Sequence, residues 1–96
     1  MPRIELLPAV LDDIDRILDH LAAFDVPDPG QRIDNIIDAI QILAGNPEIG
    51  RKVNNGQREL VVGQRSRGYI ALYRFIPDID TVFILAIRSQ REAGYR

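Results

Sequence analysis

The side chains of this 96-residue chain that could do chemistry are few. It has no Cys, which removes disulfides, thiolate nucleophiles, zinc knuckles and iron–sulfur clusters. His20 is its one imidazole, so a His-rich metal site or a Ser-His-Asp triad has no spare parts. It stands beside Asp19 and four residues after Arg16, and reads as a solvated side chain on a polar helix face. Asp12, Asp13, Asp15 and Asp19 recur on that same outward face rather than converging on a cation. The stretch Gly63 to Gly68 lacks the Lys-Ser/Thr of a phosphate-binding loop and does not open a helix, so it argues against nucleotide binding. No cofactor and no metal are expected. What remains is arginine: Arg58, Arg65, Arg67, Arg74, Arg88 and Arg91 all fall on or near β-patterned segments. The guanidinium fork suits carboxylate and phosphate alike, so an acidic protein segment and nucleic-acid phosphate both fit. Arg74 and Arg88, if they point away from the helices, would line one basic surface. Tyr69 and Tyr73 alternate on one strand and read as packing residues rather than base-stacking platforms.

The charge is divided along the chain. Residues 1–50 hold three basic groups (Arg3, Arg16, Arg32) against ten acids, a net of −7. Residues 51–96 hold nine basic groups against four acids, a net of +5, and the whole chain carries −2. Such asymmetry points to an anionic partner for the basic half, or to attraction between the halves within the fold.

These residues need elements to hold them. Hydrophobic residues make up 46 % and charged residues 27 %, the profile of one globular domain spanning 1–96. Arg3 to Leu7 reads as a short strand. Pro8 suits the first position of a helix, and Val10, Leu11, Ile14, Ile17, Leu18 and Leu21 recur at helical spacing as its inward stripe. Its Asp-rich start favours the positive end of the helix dipole. Asp28-Pro29 predicts a second helix start, with Asp28 capping and Gln31 completing a capping box. Ile33, Ile36, Ile37, Ile40, Leu43 and Ala44 form its apolar stripe, and Gly45-Asn46-Pro47 stops it. Two helices joined by a short connector predict an antiparallel hairpin. Beyond Ile49 the period changes to two. Arg51 to Val53 reads as an edge strand, Asn54-Asn55-Gly56 as a turn, and Arg58 to Val62, Tyr69 to Ile76 and Thr81 to Ile87 as strands. The last is apolar on both faces and belongs inside the sheet. The fold class is α+β: an N-terminal strand and a helical hairpin on one face of a mostly antiparallel, curved sheet, β-α-α-β-β-β. No secretory pattern opens the chain, and the longest apolar run, Val82 to Ile87, is far short of the ~20 residues of a membrane helix, so a cytoplasmic location and no membrane partner are expected.

Several segments in this order carry a resemblance. They are Leu7-Pro-Ala9 with Asp13-Ile14, then Ile40 to Arg51, Arg58-Glu-Leu60, Gly68 to Arg74, Val82 to Arg88, and Arg91 to Tyr95. The chain resembles the RelE/ParE superfamily of toxins from type II toxin–antitoxin modules, and it looks closer to the ParE branch. The resemblance implies a growth-inhibiting toxin, associated with plasmid stabilisation, that is held inactive in a hetero-oligomer with a cognate ParD-like antitoxin. Two targets occur in the superfamily. RelE-like members cleave mRNA in the ribosomal A site, whereas ParE-like members poison DNA gyrase and have no established catalytic residues.

The RelE-like reaction uses several basic groups on the middle strands plus Arg and Tyr near the C-terminus. Here the corresponding strand reads Glu59-Leu-Val-Val-Gly63, and Ile70 follows Tyr69. Only Arg91 and Tyr95 match, at a different spacing. DNA gyrase is therefore the expected target. A RelE-like ribonuclease using Arg91 and Tyr95, or an inactive module that only binds an antitoxin, stand as alternatives. For an antitoxin, apolar anchors are expected near Leu11, Ile14 and Leu18, which also belong to the helix's inward stripe, and Arg58, Arg65, Arg67, Arg74 and Arg88 are expected as electrostatic contacts to the target or to acids of the antitoxin.

Overall fold

The structure, a computed structural model, describes residues 1–63 and 68–92. The expectations for the 63–68 loop, for Arg65 and Arg67 and for Tyr95 therefore concern residues wholly or partly outside the described ones.

Strand β1 (Arg3–Leu6) leads into helix α1 (Pro8–Ala23), and α2 (Pro29–Ile40) follows, its last turn tightening into a 3-10 turn over Gln41–Ala44. Then come β2 (Arg51–Lys52), β3 (Arg58–Val62), β4 (Tyr69–Ile76) and β5 (Thr81–Ser89). The five strands make one sheet in the order β1-β5-β4-β3-β2. β1 runs parallel to β5 and every other pair is antiparallel. The α+β architecture expected from the sequence is the one observed. The apolar last strand lies between β1 and β4, with Val82, Ile84 and Ile87 fully buried.

Both helices start with proline at the first turn, where its missing N–H costs nothing. Val10, Ile17 and Leu21 of α1 and Ile36, Ile40 and Leu43 of the second helical segment bury against Tyr69, Ala71 and Tyr73 of β4 and Val82, Ile84 and Ile87 of β5. The β2–β3 turn holds Asn55 and Gly56 at φ of 62° and 73°. That left-handed pair gives a tight hairpin turn the hand that suits twisted strands. A β-bulge at Leu72/Tyr73 puts an extra residue on β5, which bends and twists the sheet locally.

Three details depart from the sequence reading. Asp13 does not face outward: it is buried to 4 % exposure, while Leu11, expected on the inward stripe, is 58 % exposed. The inward arc of α1 is centred on Val10, Ile17 and Leu21, so Asp13 lies inside its edge and Leu11 at the opposite margin. Helix α1 also starts early enough that no acid falls in its first turn. Asp28 precedes α2 as expected but sits at φ 53°, ψ 59° and its side chain makes no capping bond. A left-handed backbone turns the carboxylate away from the amides that an extended N-cap would meet. Gln31 bonds Asn35 instead, at 3.0 Å.

Candidate functional site

The sheet has two unlike faces. Pairing registers put Arg58, Leu60, Val62, Tyr69, Ala71 and Tyr73 on the helix-covered face. Arg51, Glu59, Val61, Ile70, Leu72, Arg74, Ala86 and Arg88 fall on the other. Arg74 and Arg88 thus share the outer face, but four residues of β4 separate their ladder positions, roughly 13 Å. Arg58 is on the opposite face from both.

The three guanidinium groups are held by the chain's own backbone. Arg58 donates from Nη1 to the carbonyl oxygens of Glu48 and Gly50, each at 2.9 Å. Arg74 donates to the Asn55 carbonyl. Arg88 donates to the carbonyls of Ser89 at 3.2 Å and Glu92 at 2.7 Å. Between Arg74 and Arg88 the outer face is apolar: Ile70 and Ala86 are buried, Leu72 is half-buried, and Val61 is 55 % exposed. Glu59, which pairs with Arg51, and Glu5 of β1, which pairs with Arg3, are carboxylates on this face. Of the apolar residues proposed for an antitoxin, Leu11 is exposed and Ile14 and Leu18 are half-buried on one side of α1.

A second group of polar residues, not singled out in the sequence, gathers where α1 crosses the end of β5. β1 ends opposite Ile84, so β5 beyond it has an open edge. Asp13 Oδ2 accepts the Ile87 N–H at 2.8 Å, and Arg16 Nη2 donates to the Ile87 carbonyl at 3.2 Å. Glu92 Oε2 accepts the Ser89 N–H at 2.9 Å. Arg16 bridges the two carboxylates, contacting Asp13 at 3.2 Å and Glu92 closely. Two helix residues three apart and one from the C-terminal turn therefore extend a ladder that β1 leaves incomplete, giving the Ile87 and Ser89 amides their acceptors. The sequence did carry one signal for this. Asp13 falls three residues after Val10 and four before Ile17, an inward phase that an acid occupies only with partners.

Beyond this group a cleft opens between the C-terminal half of α1 and the ends of β4 and β5. It comprises two adjoining cavities of about 380 and 590 Å³, and His20, Tyr69 and Arg91 line both. His20 packs on Phe24, ring centroids 4.8 Å apart. Arg91, a sequence candidate, is exposed here beside Tyr69, which is buried as expected. Among the described residues no group of three or more His, Asp or Glu side chains could hold a metal ion.

Comparison with known proteins matches this chain along its length. The family model for the ParE toxin of the type II toxin–antitoxin system, parDE, covers residues 4–94. Toxin RelE3 of Caulobacter vibrioides is 30 % identical over 92 residues, 96 % of this chain and 98 % of that protein. Among solved structures, the chromosomal ParDE system from P. aeruginosa superposes with a TM-score of 0.77 at 22 % identity, covering 93 % of this chain and 96 % of that one. A chain of the intact E. coli RelBE toxin–antitoxin complex gives a TM-score of 0.60 at 13 % identity, covering 96 % and 100 %. At these identities the two structures speak to the fold.

Proposed function

Because the chain belongs to the ParE family of type II toxin–antitoxin toxins, within the RelE/ParE superfamily, we propose that it arrests growth by binding DNA gyrase, not by cutting RNA, and that a cognate ParD-like antitoxin neutralises it in a hetero-oligomer. The observation that supports binding over cleavage is the outer sheet face. Phosphodiester cleavage needs groups able to give and take protons and donors poised for the developing charge. Among the described residues that face carries neither Lys nor His, its centre is Val61, Ile70, Leu72 and Ala86, and Arg74 and Arg88 already donate to backbone carbonyls. An apolar surface flanked by fixed charges serves recognition of a protein better than general acid–base work.

Supercoiling assays with purified toxin and gyrase, run beside coupled translation, test this reading. Inhibited supercoiling or accumulated cleavage complexes with translation unaffected are expected. Translation arrest with gyrase untouched sinks it. That second result is the ribonuclease reading, which the likeness to Toxin RelE3 and the exposed Arg91 favour. Its own check is the Arg91→Ala, Tyr95→Phe double variant, which should then lose translation arrest.

A further inference from the structure

We propose that the cavity between the β2–β3 hairpin and the end of β4 is a carboxylate-binding pocket, which takes an Asp or Glu side chain with an apolar neighbour from the protein this toxin acts on. The proposal rests on the binding reading above and adds a point of contact and its chemistry.

The cavity measures about 360 Å³. Lys52 pairs with Arg58 across the hairpin, so both stand on the helix-covered face of the sheet, and both line the cavity. Val53, Phe75 and Pro77 form its apolar wall. Phe75 packs against the core, which fixes that wall in place. Ile49 and Ile79, each within two residues of a lining residue, are 55 % and 57 % exposed and widen the apolar rim.

Arg58 gives the pocket its chemistry. Its Nη1 donates to the Glu48 and Gly50 carbonyls, each at 2.9 Å, which locks the guanidinium plane. The other edge, Nε and Nη2, meets no acceptor among the described residues and is not buried. That edge has the geometry to take a carboxylate through two parallel N–H···O bonds. Its present partners are neutral carbonyls, so its charge is uncompensated. Held in advance, the group loses little freedom when a ligand arrives. Lys52 is exposed and forms no ion pair among the described residues.

The local charge agrees. Arg74, bonded to the Asn55 carbonyl, brings Nη2 to 3.7 Å from where a Cβ on the lining residue Gly56 would stand. Lys52, Arg58 and Arg74 face Glu48, which lines the cavity, and Asp78, one residue past Pro77, so one positive charge is in surplus. Arg51 does not enter this balance, because Glu59 neutralises it on the other face. One fork, one ammonium and an apolar wall match one carboxylate beside an apolar side chain. They do not make the run of cations that a nucleic-acid strand demands.

Position favours the target over the antitoxin. Arg74 reaches from the outer sheet face to the hairpin turn beside the cavity, so the pocket continues the surface on which target recognition is proposed. The stripe proposed for the antitoxin lies on α1, which packs over β5, and β4 and β3 separate β5 from β2.

The test uses the full-length toxin with purified gyrase, its cognate antitoxin and a single-stranded RNA oligonucleotide as probes, together with growth arrest at matched soluble expression. Lys52→Glu reverses a pocket charge at an exposed position outside the core. Arg58→Lys keeps the charge and removes the fork. Each is expected to weaken gyrase binding at least tenfold and to relieve growth arrest, with antitoxin affinity within twofold of wild type. Arg58 also braces two carbonyls, so if Arg58→Lys lowers the unfolding midpoint, Lys52→Glu alone decides. Full growth arrest by Lys52→Glu overturns the proposal. So does a loss of antitoxin binding with toxicity kept, which would make the pocket an antitoxin site, and so does salt-dependent RNA binding that Lys52→Glu abolishes. Should wild-type toxin arrest growth without binding gyrase, the gyrase reading fails, and the growth assay still decides the pocket.

Discussion

Tyr73 shows how much one side chain can hold. Its ring is fully buried, and its hydroxyl oxygen accepts the Gly50 N–H at 2.8 Å. A Cβ on Gly50 would stand 2.6 Å from both the ring carbon Cε1 and that oxygen, so only glycine lets the chain before β2 approach so closely. Burial pushes the phenol pKa above its ordinary 10.0, while the Gly50 bond and the nearby Arg58 cation pull it back and Glu48 adds to the rise. A raised folded pKa means the fold prefers the protonated phenol. Its contribution is complete below about pH 10 and is lost as pH climbs through the folded value. Denaturant titrations across pH 9–12 should show stability falling on the alkaline side, and Tyr73→Phe should flatten that limb. At pH 7 the same variant should lose about 1–2 kcal/mol, because the Gly50 amide loses its acceptor inside the protein. The sequence marked Tyr73 as a packing residue from its alternation with Tyr69. It held no sign of Gly50, 23 residues earlier, because a close approach is a property of two segments and not of either alone.

At the scale of elements, the readable features were those with long periods. Two helices, the succession of strands along the chain and the inward place of β5 follow from spacing and from apolar runs that no polar partner competes for. The misread features were local choices settled by packing. The aliphatic residues of α1 by themselves put Leu11 inside and Asp13 outside, whereas Leu11 is exposed and Asp13 buried. What reverses them is the open edge of β5, whose Ile87 amide needs an acceptor that only a buried acid on α1 can reach. Asp13→Ala should therefore cost about 2–3 kcal/mol, the price of an unpaired buried amide and a stripped Arg16. In native-state hydrogen exchange, Ile87 should become unprotected ahead of Val82 and Ile84; equal exchange at all three would refute the edge role. The start of α2 gives a second case. If Asp28 capped the helix, Asp28→Gly would lose a few tenths of a kcal/mol. With φ at 53° and no capping bond, the left-handed strain that glycine avoids outweighs its extra chain entropy. Asp28→Gly should then be neutral to about 1 kcal/mol stabilising in thermal unfolding.

Across the whole molecule, the charge split becomes a division of layers: most acids lie on the helical hairpin, and most arginines lie on the sheet and its turns. The arrangement was legible as a sum along the chain, but the use of each arginine was not. Arg58, Arg74 and Arg88 brace turns and chain ends through backbone carbonyls. Reversing Arg74 or Arg88 would thus disturb the fold together with any electrostatic contact to an antitoxin, and would confuse the two. Leu11 is the cleaner probe of the proposed antitoxin surface. More than half exposed, it contributes little to the core, so Leu11→Glu should leave unfolding free energy within about 0.5 kcal/mol of wild type. A carboxylate there has to be desolvated under any apolar helix that docks on Leu11, Ile14 and Leu18. Antitoxin affinity should fall at least tenfold by calorimetry, and co-expressed antitoxin should no longer rescue growth. Toxicity of the variant alone should remain, because the substituted side chain is exposed and the fold is kept. Unchanged neutralisation would move the antitoxin off this stripe, and lost toxicity would put the target on the same stripe.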